Sequence, residues 1–235
     1  MRSVTRAIVL VLALAASASA GSYSEDFSRE TPGAEPKSFV ALVGIWRIEP
    51  DGPKTTLAVD GTKWAKGQAV AGLADRARAV YGERYAEFLD NLKAYAYFPI
   101  AVAKDVEDFR DGEITVRFKG IRGRIDQGAG VLFNMKPNGD YLTLRANCLE
   151  NNLVLWKVVQ GKRSSVKWIR NTPTASGTWH ELKLEVHGRD VRGYLDGTLY
   201  LEHTLSEPVS GKVGLWSKAD SYMHFDDYKV VSVTP

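Results

Sequence analysis

An antiparallel β-sandwich interrupted by one helical insertion is the fold this 235-residue sequence predicts, on three observations. From Phe109 onward, short runs alternate apolar and polar residues, with turn residues about every eight to twelve positions. Asn-Gly and Asp-Gly dipeptides separate several of these runs, a strong hairpin signal. Between Ala69 and Ala96 the apolar period changes from two to three and four, the mark of a helix. The composition agrees: 44% hydrophobic residues, with 31 Lys plus Arg against 28 Asp plus Glu, exclude a disordered chain and a polybasic nucleic-acid binder.

Residues 1–20 read as a signal peptide. Arg2 and Arg6 form a positive start, Ile8 to Ala16 an apolar stretch, and Ala18-Ser19-Ala20 a small-residue cleavage site before Gly21. The expected mature domain, 21–235, is periplasmic or secreted, and loss of two arginines takes its net charge from +3 to +1. No later run reaches the roughly 18 apolar residues of a membrane span, and a monomer is expected. Cys148 is the single cysteine, so no intramolecular disulfide can form. It follows an alternating run with no adjacent His, which assigns it a structural role.

In chain order, a strand pair is predicted at Gly44 to Ile48 and Thr55 to Val59, joined by Pro50-Asp51-Gly52-Pro53. Ala77, Val80, Tyr81, Phe88, Leu89, Leu92 and Tyr95 then form the apolar stripe of a helix broken at Gly82 and stopped by Pro99. Strands are predicted on both sides and no Gly/Ser linker isolates it, so it is an insertion in one domain whose stripe covers a sandwich edge or the mouth of a groove. Ile114, Val116 and Phe118 mark the next strand. Pro137-Asn138-Gly139-Asp140 joins a strand around Val131 to one carrying Leu142, Leu144 and Ala146. Gln160-Gly161 to Ser165 reads as the tip between strands bearing Trp156 and Trp168. Leu182, Leu184 and Val186 mark another strand, Asp196-Gly197 joins Val191–Leu195 to Thr198–His203, and strands at Val213 to Trp216 and Met223 to Val233 end the set.

The ordered motifs Asp111 to Phe118, Gly128 to Phe133, Gly139-Asp140-Tyr141, Trp179 to Lys183, Tyr194 to Gly197, Gly211 to Trp216 and Phe225-Asp226-Asp227 resemble the concanavalin A-like jelly roll. Within it, they are similar to laminin-G-like domains and to bacterial 3-keto-disaccharide hydrolase (DUF1080) domains, over roughly residues 105–233. The resemblance implies a mainly β sandwich and a carbohydrate ligand, while the fold by itself fixes no chemistry. Where hydrolase-like relatives carry an acidic-aromatic-Arg triplet, this chain reads Val116-Arg117-Phe118-Lys119, which places Arg117 among the binding candidates without a carboxylate beside it. Related sandwiches also hold a structural calcium, for which Asp126 or Asp140 would be donors.

The main candidate site is the row that runs into Cys148. Alternation puts Tyr141, Thr143, Arg145 and Asn147 on the face opposite the leucines, followed by Glu150, Asn151 and Asn152 in the turn and by Trp156 on the next strand. An aromatic ring, a hydroxyl, a guanidinium and amides together suit sugar rings, which present apolar faces and hydroxyl edges. A solvated sheet face with an Asx-rich turn would use the same residues. A saccharide on the concave face is the favoured reading. An enzyme of the glycoside hydrolase or lyase type would need a general base, for which Glu150 and Asp140 are the nearest candidates, with Arg145 steadying developing negative charge. An envelope scaffold domain would instead expose the helix stripe. His180, His187, His203 and His224 never fall three or four residues apart, so no metal site is expected from them. Lys157, Lys162, Arg163, Lys167 and Arg170 read as a charged hairpin tip, and Trp216, Lys218, His224 and Asp226 as a second patch.

Overall fold

The computed structural model describes residues 20–63, 68–91 and 97–233. The signal sequence expected over 1–20 lies outside these residues except for Ala20, and so do Leu92 and Tyr95 of the helix stripe. The described strands form two antiparallel sheets packed face to face.

One sheet runs from β13 (Thr198–Thr204) through β12 (Asp190–Leu195), β11 (Trp179–His187), β6 (Gly112–Arg122), β15 (Tyr222–Val233) and β4 (Lys54–Asp60) to β3 (Trp46–Asp51). Its eighth strand, β1 (Ala20–Glu25), pairs with the end of β15, in register from Ala20 opposite Val233 to Glu25 opposite Tyr228. β15 thus gives one edge to β6 and divides the other between β4 and β1. The second sheet runs β10 (Lys162–Arg170), β9 (Asn152–Val159), β8 (Tyr141–Asn147), β7 (Gly128–Met135), β14 (Lys212–Ser217), β5 (Ile100–Ala103) and β2 (Phe39–Val43).

Alternation places one side chain in two from each sheet in the shared core. Ile114, Val116 and Phe118 of β6, Leu182, Leu184 and Val186 of β11, and Phe225 of β15 meet Val131 and Phe133 of β7, Leu142 and Leu144 of β8, and Leu153 and Leu155 of β9. Each such side chain contributes about 1.5–3 kcal/mol on burial. β2 and β5 break the alternating pattern because both of their faces are covered. Phe39, Ala41, Ala101 and Ala103 join the core between the sheets, whereas Val40, Leu42, Ile100 and Val102 point the other way into a second apolar cluster.

The insertion supplies the other half of that cluster. α1 (Leu73–Tyr81) and α2 (Tyr85–Asp90), joined by a single 3-10 turn at Gly82–Arg84, bury Leu73, Ala77, Val80 and Phe88 against the outer face of the seven-stranded sheet. The break falls at Gly82, as its sequence predicts, where a φ of 55° is a left-handed conformation that glycine adopts without a Cβ penalty. Helices this short are marginal in water, so their tertiary contacts hold them. They cover the β2 side of the outer face, not one end of the sandwich, and leave the β8–β10 side to other residues.

Candidate functional site

β8 forms over Tyr141–Asn147, with Leu142, Leu144 and Ala146 in the core between the sheets and Tyr141, Thr143, Arg145 and Asn147 on the outer face. That alternation agrees with the sequence. What it does not reveal is that this face is closed: Thr143, Arg145 and Asn147 are each 0% exposed. β9 pairs Asn152 with Asn147, Val154 with Arg145 and Trp156 with Thr143, which adds Asn152 and Trp156 to the same face. On the other side, Gly130 of β7 lies between Arg145 and Trp216. A Cβ there would stand 2.6 Å from the Thr143 hydroxyl and 3.3 Å from the Trp216 ring, so this glycine makes room for both large side chains.

Arg145 is the centre of the arrangement. Its Nη1 donates to Asn152 Oδ1 at 2.6 Å and to Glu150 Oε2 at 3.2 Å. Asn152 also donates to Glu150 Oε2, at 2.9 Å. Burial pushes the Arg145 pKa down against the pull of Glu150 and Asp126, and the nearby Arg163 charge adds to the shift. Burial would raise the Glu150 pKa, but the Asn152 amide, the Arg145 and Lys218 charges and the Arg145 hydrogen bond outweigh it and hold the carboxyl below its ordinary range. Glu150 is therefore an ionised acceptor at neutral pH and no proton donor. Beneath it, Asp126 is 1% exposed and accepts from Asn147 Nδ2 at 2.7 Å and Lys218 Nζ at 2.8 Å.

Aromatic rings complete the face. Trp216 donates its Nε1–H to Tyr141 Oη at 3.0 Å and packs 5.0 Å from Phe98, which follows the helices. Trp156 meets Trp168 of β10 edge to face at 5.3 Å. Arg163 of β10 lies 4.1 Å from the Trp156 centroid and 5.0 Å from that of Phe98. Trp156 is 7% exposed and Trp168 40%, yet neither belongs to the core between the sheets; the first floors the site and the second stands at its rim.

Arg163 was hidden from a hairpin reading by a β-bulge. β10 pairs Arg163 with Val158 and Ser165 with Trp156, then skips Val166, so that Trp168 opposes Val154 and Arg170 opposes Asn152. The extra residue reverses parity, and Arg163 and Trp168 share a face that strict alternation would deny them. The signal available in sequence was the broken alternation of Ser164-Ser165-Val166-Lys167.

Among the described residues, four buried polar groups on this face are without a hydrogen-bond partner: Arg145 Nε, Arg163 Nη1, Trp156 Nε1 and Thr143 Oγ1. Buried polar groups are normally paired, and each one left unpaired costs about 1–3 kcal/mol.

The remaining candidates lie elsewhere. Arg117 is on β6, on the outer face of the opposite sheet, over the Trp179 ring at 5.2 Å and 3.4 Å from Asp227. It cannot join Arg145, because the whole sandwich separates them. The charges around Arg117 satisfy one another: Lys119 Nζ binds Asp51 Oδ1 at 2.6 Å, Trp179 Nε1 binds Asp51 at 3.1 Å, and Lys54 binds Asp226 at 2.9 Å. The second patch also divides. Trp216 and Lys218 belong to the Arg145 site, while His224, bonded to Thr56, and Asp226 belong to the other sheet.

Asp140 precedes β8, where it accepts from Gln160 N–H and Asn138 Nδ2 and borders a groove of about 670 Å³ with Lys136, Lys157, His203 and Leu205. Glu150 follows the other end of β8, so the two carboxyl groups stand roughly 20 Å apart by strand rise. A glycosidic acid–base pair needs about 5–9.5 Å. For calcium, Asp126 and Asp140 are both engaged by the protein donors just named, and among the described residues no three His, Cys, Asp or Glu side chains gather in one place.

Cys148 packs in the core between the sheets at 7% exposure, and burial pushes its thiol up to about 11. Native protein is expected to react with a thiol reagent at pH 8 many times more slowly than urea-unfolded protein, measured as colour release; equal rates would refute the buried assignment.

No protein-family model matches this chain, and no curated protein matches its sequence. Solved structures do match. Carbohydrate-binding module CBM66 from Bacillus subtilis superimposes with a TM-score of 0.58 at 14% identity, over 82% of this chain and 95% of that one. Apo Crh5 transglycosylase gives 0.51 at 13% identity over 91% and 85% respectively. The beta-glucanase of Bacillus licheniformis gives 0.50 at 13% over 89% and 97%. These likenesses, with two antiparallel sheets face to face, define the class: the chain is a concanavalin A-like jelly-roll β-sandwich.

Proposed function

We propose that this chain is an exported domain that binds a saccharide on the outer face of its seven-stranded sheet. The carrying observation is the set of unpaired polar groups on Arg145, Arg163, Trp156 and Thr143, placed beside the half-exposed ring of Trp168. Hydrogen-bond donors next to a stacking surface are what a pyranose ring needs. The named activities of the solved neighbours, a carbohydrate-binding module, a transglycosylase and a glucanase, point to the same ligand class. Export is supported by the leader-like sequence of residues 1–20.

Binding without turnover is favoured over a hydrolase because Asp140 and Glu150 lie at opposite ends of β8, too far apart to work as a pair, and Glu150, held ionised, is no general acid. The likeness to laminin-G-like and 3-keto-disaccharide hydrolase domains rests on the motif order alone. A scaffold role is disfavoured because none of the exposed large apolar side chains among the described residues lies on α1 or α2.

A glycan array on the mature protein is expected to give saturable binding. Trp168→Ala is expected to weaken it about tenfold, or about 1.4 kcal/mol, while leaving the melting temperature unchanged. A flat array would overturn the reading in favour of a scaffold domain.

A further inference from the structure

Resting on the saccharide-binding reading, we infer that the ligand is an acidic sugar whose carboxylate sits against Arg163 and Arg145. Both guanidinium groups pack on one indole, Arg163 at 4.1 Å and Arg145 at 5.9 Å from the Trp156 centroid. Arg145 and Lys218 each have a carboxylate, Glu150 and Asp126 respectively. Arg163 has none within ion-pair distance, and the segments 64–67 and 92–96 contain no acidic residue that would serve. Three cations against two anions leave one uncompensated positive charge in a site whose floor is buried.

The unpaired atoms carry the same sign of demand. Arg145 Nε, Arg163 Nη1 and Trp156 Nε1 can only donate, and Thr143 Oγ1 can do either. Neutral sugar hydroxyls bring a donor with each acceptor, and of these four atoms only Thr143 Oγ1 could take such a proton. An ionised carboxylate accepts through both oxygens and donates nothing, and its plane matches the guanidinium fork. It also removes the repulsion between two arginines held on one ring. On the opposite sheet face Lys119, Lys54 and Trp179 already have acceptors, and the unpaired His224 Nε2 lies 3.8 Å from the Glu49 carboxylate.

The test is calorimetric titration with oligosaccharides of galacturonate, glucuronate, mannuronate and guluronate, each as the free acid and as its methyl ester, with neutral glucan and sulfated galactan oligosaccharides as further probes. At least one free acid is expected to bind at least tenfold more tightly than its ester. Raising salt should weaken the acid and leave the ester unchanged. Arg163→Gln, which keeps a planar group against Trp156 but no charge, should bring acid binding down to the level of the ester, and Arg163→Lys should restore part of it. Arg163 is half-exposed and makes no ion pair, so circular dichroism of both variants is expected to match the parent. Esters or neutral glucans that bind as well as the acids, or an Arg163→Gln variant that weakens acid and ester alike, would overturn the acidic-sugar inference and leave saccharide binding standing. Tighter binding of the sulfated probe would overturn the carboxylate assignment. Failure of every probe would overturn saccharide binding itself.

Discussion

Trp216→Ala is expected to cost about 3–5 kcal/mol of stability, the largest loss we anticipate from a single side chain here. The residue is 0% exposed and belongs to the cluster that joins α1 and α2 to the outer sheet face. Its removal leaves a void beside Phe98, Leu132 and Val102, strips the Tyr141 hydroxyl of its indole donor, and loosens helices too short to persist alone. The expected readout is a lower urea midpoint together with faster amide exchange in 73–90. Trp216→Phe should recover part of the midpoint, because it restores one aromatic ring while leaving a smaller void and omitting the hydrogen bond to Tyr141. A midpoint unchanged by Trp216→Ala would show that the helices contribute nothing to holding the sheet.

Arg145→Met is expected to weaken saccharide binding by roughly 30-fold, about 2 kcal/mol, in calorimetric titration. Its effect on stability should be smaller. Breaking a buried ion pair is severe when the orphaned partner stays buried. Glu150, however, lies at the rim with its side chain 36% exposed and keeps the Asn152 hydrogen bond. The acid side supplies a signed check. A folded-state carboxyl held below its ordinary value of about 4.5 stabilises the fold above that pH, and the benefit disappears as pH falls through the lowered value. Arg145 supplies part of that lowering, so the stability gap between parent and variant should narrow below about pH 4.5. A gap that widened with acid would contradict the Arg145–Glu150 pairing.

The alternating strands were legible because each has one core face. β8 lies at Tyr141–Asn147, the limits its alternation marks, and the hairpin of β12 and β13 turns at Asp196-Gly197. β2 and β5 were not legible as strands. Phe39 to Val43 and Ile100 to Ala103 are unbroken apolar runs, because their second face lies under helices that only the fold brings there. The site divides along the same line. Period two put Tyr141, Thr143, Arg145 and Asn147 on one face, but no local pattern announces that the face is closed, that a bulge brings Trp168 round to the face Arg163 holds, or that Phe98 and Trp216 arrive from distant segments. Arg117 stands apart from the Arg145 row for the converse reason. Its motif position matched the relatives' strand, and the strand lies in the other sheet.

The order in which this chain is made bears on how it folds. β14 and β15 follow the other described strands in the chain, and each occupies the interior of its sheet, between β7 and β5 in one and between β6 and the β4–β1 pair in the other. Until they emerge, the seven-stranded sheet is two fragments, and the eight-stranded sheet is two fragments and the lone strand β1, with no common ladder. Closure of the sandwich is thus deferred until β15 has been made, and the many contacts between early and late segments predict slow, cooperative closure. A ribosome stalled after residue 205 would present a chain rich in unpaired strand edges, a species open to proteolysis and self-association.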